Sequence, residues 1–264
     1  MVEAGDVYEE RELAQYTEEG KRIVRQPIVK EAPLTIMLNG KKLATLLCSP
    51  HSFELLAVGF LVNQGVLFQR DELKSMAYAP EQGAVWVETT GSAAPSGGVS
   101  KGNSDRLGGG AGLSLYSLSV AEHIRPELHE PRFTPKELLG LVTRLEAEAH
   151  TFRLTGGVHE AALADRAGFV VSYEDIGRHN ALDRVLGYAF LNDIGVSDKA
   201  VILSGRIASE MLAKAARLGV PVVVSRSAPT CLSIDMADQL GITLVGFARG
   251  NSLNVYTHPG RIAV

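Results

Sequence analysis

The chain has 264 residues, enough for one large core or two modest ones, and 45% hydrophobic with 21% charged residues is the composition of an ordinary folded protein. A formal charge of -4 argues against a general nucleic-acid surface, and no apolar run approaches the roughly 20 residues of a membrane helix, so neither nucleic acid nor membrane is an expected partner. Cys48 and Cys231 are the only cysteines, too few for a disulfide scaffold or a thiolate-rich metal site, and both read as free, buried thiols.

Residues 1 to 20 are acidic, with Glu9, Glu10, Glu12, Glu18 and Glu19 against Arg11, and carry little to bury. They predict a mobile arm or a short surface helix, and they lack the basic and apolar regions of a signal peptide, so the expected address is the cytoplasm. From Arg22 the pattern becomes strand-like, and Asn39-Gly40 between Leu34–Leu38 and Leu43–Leu47 predicts a hairpin because both turn residues tolerate positive φ. Ser52 is expected to cap a helix with Glu54 in its first turn and Gly65 just past its end. That helix is apolar on every side from Leu55 to Val62, which predicts deep packing. With the strand Val85–Val87, residues 21 to 125 read as a small α+β domain. Within it, 91–112 holds eight glycines in twenty-two residues, the composition of a long mobile loop, without the spacing of a phosphate-binding loop.

Leu113 to Val120 regains apolar character, and Pro126, Pro131 and Pro135 mark a boundary before a second domain over 133–264. Thr134-Pro135-Lys136-Glu137 is a capping box, followed by the stripe Leu138, Leu141, Val142 and Leu145. Thr155-Gly156-Gly157-Val158-His159 is a flexible turn ending in an imidazole. A hairpin over Ala161–Asp165 and Phe169–Tyr173 comes next, and then three strand-to-helix passages. The repetition predicts an α/β domain with a largely parallel sheet covered by helices.

Ligands settle beyond the carboxyl ends of such strands. Those ends read Asp175-Ile176-Gly177-Arg178-His179-Asn180, Ser204-Gly205-Arg206, Ser225-Arg226-Ser227-Ala228-Pro229-Thr230 and Phe247-Ala248-Arg249-Gly250-Asn251. Each supplies an arginine beside small or hydrogen-bonding residues, the equipment for a phosphate-rich molecule. His179 and Asp183, four apart, share one helical face.

Glu54-Leu-Leu-Ala-Val-Gly-Phe-Leu61, Thr155–His159, Glu174–Ala181, Ser204–Arg206, Ser227–Thr230, Gly246–Arg249 and Asn254–Tyr256 occur in an order that resembles the FdhD/NarQ family of formate dehydrogenase accessory proteins, over about residues 25 to 262. The resemblance implies a cytidine-deaminase-like three-layer α/β sandwich with a smaller N-terminal α+β domain, usually as a homodimer. It also implies a sulfurtransferase that takes persulfide sulfur from a cysteine desulfurase and delivers it to the molybdenum or tungsten bis-guanine-dinucleotide cofactor of formate dehydrogenase, with GDP as a partial ligand. The cofactor-binding set it implies runs through Phe247, Ala248, Arg249, Gly250, Asn251 and Ser252. Gly156, Gly157, His159, Asp175, Gly177, Arg178, His179, Asn180, Ser204, Gly205, Arg206, Ser225, Ala228, Pro229, Thr230 and Asn254 complete it.

One departure matters. The family's Cys-x-x-Cys loop corresponds to about Ser96, Gly97, Gly98, Val99 and Ser100, and serine cannot hold a persulfide. The catalytic thiol is therefore unassigned, with Cys231, at a helix start, a better substitute than Cys48. Sulfur transfer and a sulfur-incompetent cofactor chaperone both stay open. Zinc deamination is set aside and no metal site is expected, because His159-Glu160 is an adjacent pair and Pro229-Thr230-Cys231 lacks a second thiol.

Overall fold

The computed structural model describes residues 7–91 and 133–263. The glycine-rich loop beyond Gly91, the apolar stretch Leu113–Val120, the first two boundary prolines and the cysteine-loop counterpart Ser96–Ser100 all lie outside the described residues.

The first element corrects the expected arm or helix. Strand β1 (Tyr8–Thr17) pairs antiparallel with β2 (Gly20–Val29), and Gly20 at φ 131 closes the turn. Across the ladder Glu12 faces Arg25 and Arg22 donates to Gln15 Oε1 (2.6 Å), while Glu9 pairs with Arg11 within β1, so the strand's charges are partly offset once it is paired.

Next, β3 (Ala32–Leu38), β4 (Lys41–Cys48), β5 (Leu73–Ala79) and β6 (Ala84–Thr89) form a sheet in the order β4-β3-β6-β5. Asn39 and Gly40 turn at φ 47 and 77, as the hairpin signal predicted. Alternation sends Leu34, Ile36 and Leu38 inward onto helix α1 (Phe53–Asn63). That helix buries Leu56, Val58 and Leu61 completely, and each such side chain contributes on the order of 1.5–3 kcal/mol. Ser52 does not cap it in the expected way. It sits at φ 45 with no side-chain cap bond, and its hydroxyl lies 3.3 Å from His51 Nδ1 instead.

The larger sheet contains β7 (His159–Asp165), β8 (Gly168–Asp175), β9 (Ala200–Leu203), β10 (Val222–Ser225), β11 (Thr243–Arg249) and β12 (Ser252–Val255), ordered β12-β11-β10-β9-β7-β8. Only β9, β10 and β11 run parallel; β7, β8 and β12 are antiparallel to their neighbours, so the sheet is mixed rather than largely parallel. Helix α2 (Pro135–Glu148), started by the Thr134–Glu137 capping box, covers one face. After the short α3 (His150–Thr155), helices α4 (Arg178–Leu191), α5 (Ser209–Leu218) and α6 (Cys231–Leu240) cover the other. With helices on both faces, β9 and β10 are buried throughout, which explains their unbroken Val-Ile-Leu runs.

α1 is apolar all round because it is clamped between the smaller sheet and α4. The two helices cross backbone to backbone. A Cβ on Gly59 would stand 1.7 Å from the Asp183 carbonyl oxygen, and one on Gly187 would stand 2.0 Å from that of Leu55.

Candidate functional site

β7 runs antiparallel to β9, so its start meets the finish of β9, with Ala161 opposite Leu203, while β8 ends at the same level with Asp175 opposite His159. The segments singled out in the sequence therefore converge on one edge of the six-stranded sheet. Contacts stitch them together. A Cβ on Gly205 would lie 3.4 Å from His159 Nδ1 and 3.5 Å from Arg178 Cδ, so glycine there lets three segments touch. Ser225 Oγ donates to Gly205 O (2.7 Å), Ile207 N to Ala228 O (3.1 Å), Thr230 N to Ile207 O (3.1 Å) and Phe247 N to Ser227 O (3.0 Å).

The expected binding residues divide into two groups. Arg206, Arg249, Gly250, Asn251, Ser252, Asn254, Gly156 and Gly157 are exposed, while His159, Gly177, Arg178, Gly205, Ala228, Pro229, Thr230 and Phe247 are partly buried along the rim. The remaining expected residues, His179 apart, serve the scaffold. Asp175 is fully buried and accepts from Ser49 N, Gly177 N, Asn180 Nδ2 and Arg184, which leaves it nothing to offer a ligand. Asn180 is spent on Asp175 and on Leu47 O, Ser225 on Gly205, and Ser204 Oγ on Glu160 N. Ala248 is wholly buried. Arg226 turns away from the rim to pair with Glu146 on α2, so three of the four strand-end arginines remain for an anion.

Phe247 holds φ 50, a conformation costly for a non-glycine residue and commonest where function requires it. The Arg249 guanidinium lies over its ring, 5.4 Å from the centroid. Burial and then the Arg178 charge hold the His159 imidazole below its ordinary pKa. Burial pushes His179 down to about 3, assisted by Lys214, Arg178 and His159. Both rings are neutral at pH 7 and can donate at one nitrogen and accept at the other.

His179 and Asp183 share a face but not a bond. His179 Nε2 is 3.6 Å from Glu210, while Asp183 takes both its contacts, 2.6 Å each, from the buried Lys214. Sequence reasoning missed Lys214, Glu210 and Arg184, and met Glu160 only as half of a pair set aside for zinc. The readable signal was a charge interrupting an apolar stripe, as at Asp183-Arg184 between Leu182 and Val185. Glu160 lies directly across from Glu174 on the α2 side of the sheet, and burial, then Glu174 and Glu148, push it up to about 8.

The two thiols also part company. Cys48 is buried as expected and burial pushes it up to about 12, whereas Cys231, expected to be buried, is exposed at the first position of α6. Its side chain stays outside because Thr230 and Ser233 close the capping box inward, with Ser233 Oγ reaching Ile207 O (2.8 Å). Among the described residues no three His, Cys, Asp or Glu side chains gather to hold a metal ion, and no helix is long and apolar enough to cross a membrane.

The chain as a whole is similar to known proteins. A profile described as the FdhD/NarQ family matches residues 29–263. Two proteins named sulfur carrier protein FdhD, from Staphylococcus aureus strains MRSA252 and Newman, are 42% and 41% identical over 89% of this chain and 88% of their own length. A crystal structure described as a formate dehydrogenase accessory protein from Desulfotalea psychrophila superposes with a TM-score of 0.80 at 25% identity, covering 97% of this chain and 100% of that one.

Proposed function

This chain belongs to the FdhD/NarQ family, and on that premise we propose that it is a formate dehydrogenase accessory protein whose sheet-edge cleft holds the guanosine diphosphate ends of a molybdenum or tungsten bis-guanine-dinucleotide cofactor as cargo. The observation that carries the reading is the convergence of Arg178, Arg206 and Arg249 on one edge, among glycines and neutral imidazoles. Guanidinium forks suit a diphosphate, and uncharged His159 and His179 suit ribose and base. The Phe247–Arg249 stack is a flat surface for a base. We read the chain as two domains, the expected 21–125 extended to take in the β1–β2 hairpin, and 133–264, the larger cytidine-deaminase-like in its helix–sheet–helix layering, and the protein as a cytoplasmic homodimer. Calorimetry with GDP tests the site, and unchanged affinity in Arg178→Ala, Arg206→Ala and Arg249→Ala alike sinks it.

Sulfur delivery divides the reading. The relatives' name favours a carrier that takes the outer sulfur of a cysteine desulfurase persulfide, the desulfurase thiolate leaving as the S–S bond breaks. Among the cysteines here only Cys231 is placed for that exchange, because Cys48 is enclosed and held protonated. A cofactor chaperone without sulfur chemistry is the second reading, favoured by the lack of cysteine in residues 96–100. Mass spectrometry after incubation with a desulfurase and cysteine separates them. A persulfide on Cys231 supports the carrier, and an unmodified chain supports the chaperone.

A further inference from the structure

The segment leaving β4 runs along the turn that opens α4, and one serine makes three of the hydrogen bonds between them. Ser49, 1% exposed, gives all three of its polar groups to that turn and helix. Its amide donates to Asp175 Oδ2 (3.0 Å), its hydroxyl accepts from Ile176 N (3.1 Å), and its carbonyl accepts from Arg184 Nη2 (2.9 Å). On either side, Leu47 O accepts from Asn180 Nδ2 (2.8 Å) and His51 O accepts from Arg184 Nη1.

Asp175 passes the constraint on. Its other oxygen accepts from Gly177 N (2.8 Å) and Asn180 Nδ2 (2.9 Å). α4 has no side-chain cap at Gly177, so its first turn takes its geometry from these bonds. Arg178 and His179 are the first two residues of that turn. Two cleft side chains are thus located from the four-stranded sheet's side of the molecule. The Gly59–Gly187 crossing leaves α1 and α4 no room to slide past one another.

We propose that Ser49 is a positioning residue for the cleft. Through Ile176 and Asp175 it fixes the turn that presents Arg178 and His179, so affinity at the cleft depends on how the four-stranded sheet sits against α4. The effect on ligand affinity rests on the diphosphate reading above, whereas the effect on the turn does not.

Ser49→Ala deletes the acceptor of Ile176 N and spares the other two bonds. Thr243→Val is the control, since it deletes an equally buried hydroxyl that donates to His258 O (2.9 Å) and accepts from Arg261 Nη1 (3.2 Å) at the opposite end of β11. Hydrogen exchange read by mass spectrometry over residues 174–180 is expected to quicken about tenfold in Ser49→Ala and to stay at the wild-type rate in Thr243→Val. The GDP dissociation constant is expected to rise about tenfold in Ser49→Ala alone. Ser49→Cys, a weaker acceptor of similar shape, covers the case in which the alanine variant does not fold, and its exchange is expected between wild type and alanine. Exchange over 174–180 no faster in the Ser49 variants than in Thr243→Val overturns the positioning role. If the wild type does not bind GDP while the exchange response persists, the diphosphate reading fails and the positioning role stands.

Discussion

The arginine beneath the cleft and the arginines on its rim are the same residue used in opposite ways. Arg184 is completely buried, pairs with Asp175 and donates to the carbonyls of Ser49 and His51. Arg206 and Arg249 are exposed and form no ion pair among the described residues. A guanidinium cannot lose its charge, so below the cleft Asp175 and the backbone carbonyls hold both its terminal nitrogens, only Nε lacking a hydrogen bond among the described residues, and it becomes a fixed strut. At the rim water compensates it, and the same charge stays available to an incoming anion. The fixed group sets where the available ones stand.

The largest expected effect breaks the strut. Arg184→Ala leaves the Asp175 carboxylate buried without its cation and should cost about 3–5 kcal/mol, read as a lower urea midpoint. Loss of stability comparable to a surface substitution would contradict the role given to this pair.

At the rim the effects should be smaller and of another kind. Arg206→Ala and Arg249→Ala should each weaken GDP by about 1.5–3 kcal/mol, the value of a charge-assisted hydrogen bond, with the urea midpoint unmoved. A rim variant that lost stability without losing affinity would reverse the comparison.

Glu160 sharpens it with pH. Its folded pKa is about 8 against an ordinary 4.5, so between those values the folded chain keeps a proton that the unfolded chain has released. Its contribution to stability should therefore fall as pH rises across that window, by up to about 1.4 kcal/mol per pH unit, and flatten above it. Glu160→Gln should remove the slope in unfolding curves taken from pH 7 to 8, above the range in which the unfolded chain protonates His51, His159 and His179, whose lowered pKa values give the opposite slope. A slope that survives the substitution would assign the proton elsewhere.

Smallest is the cap of α2. Thr134→Ala removes the acceptor of Glu137 N (3.2 Å) and should cost about 1 kcal/mol, with GDP binding unaffected, because α2 lies on the far face of the sheet.

Local chemistry made much of this legible. Asn39-Gly40 named its hairpin, Thr134–Glu137 its capping box, and the alternating strands and helices their α/β domain, because each depends on neighbours in the chain. The expected arm failed for the converse reason. Glu12 meets Arg25 and Gln15 meets Arg22 only once β2 folds back on β1, and composition counts charges without placing them. Cys231 failed similarly, since exposure at a helix start depends on which way the capping residues turn.

By itself the sequence determined the periodicities, the turns and the arginines at the strand ends, all properties of residues a few positions apart. Tertiary structure alone decided which polar residues face the cleft and which are consumed beneath it. Asp175 and Arg178 are three positions apart and look equally suited to a ligand. Residues more than a hundred positions away, Leu47, Ser49 and His51, supply the hydrogen bonds that bury the first and leave the second at the rim. A buried polar group must find its partners wherever the fold brings them, and a linear pattern carries no record of that distance.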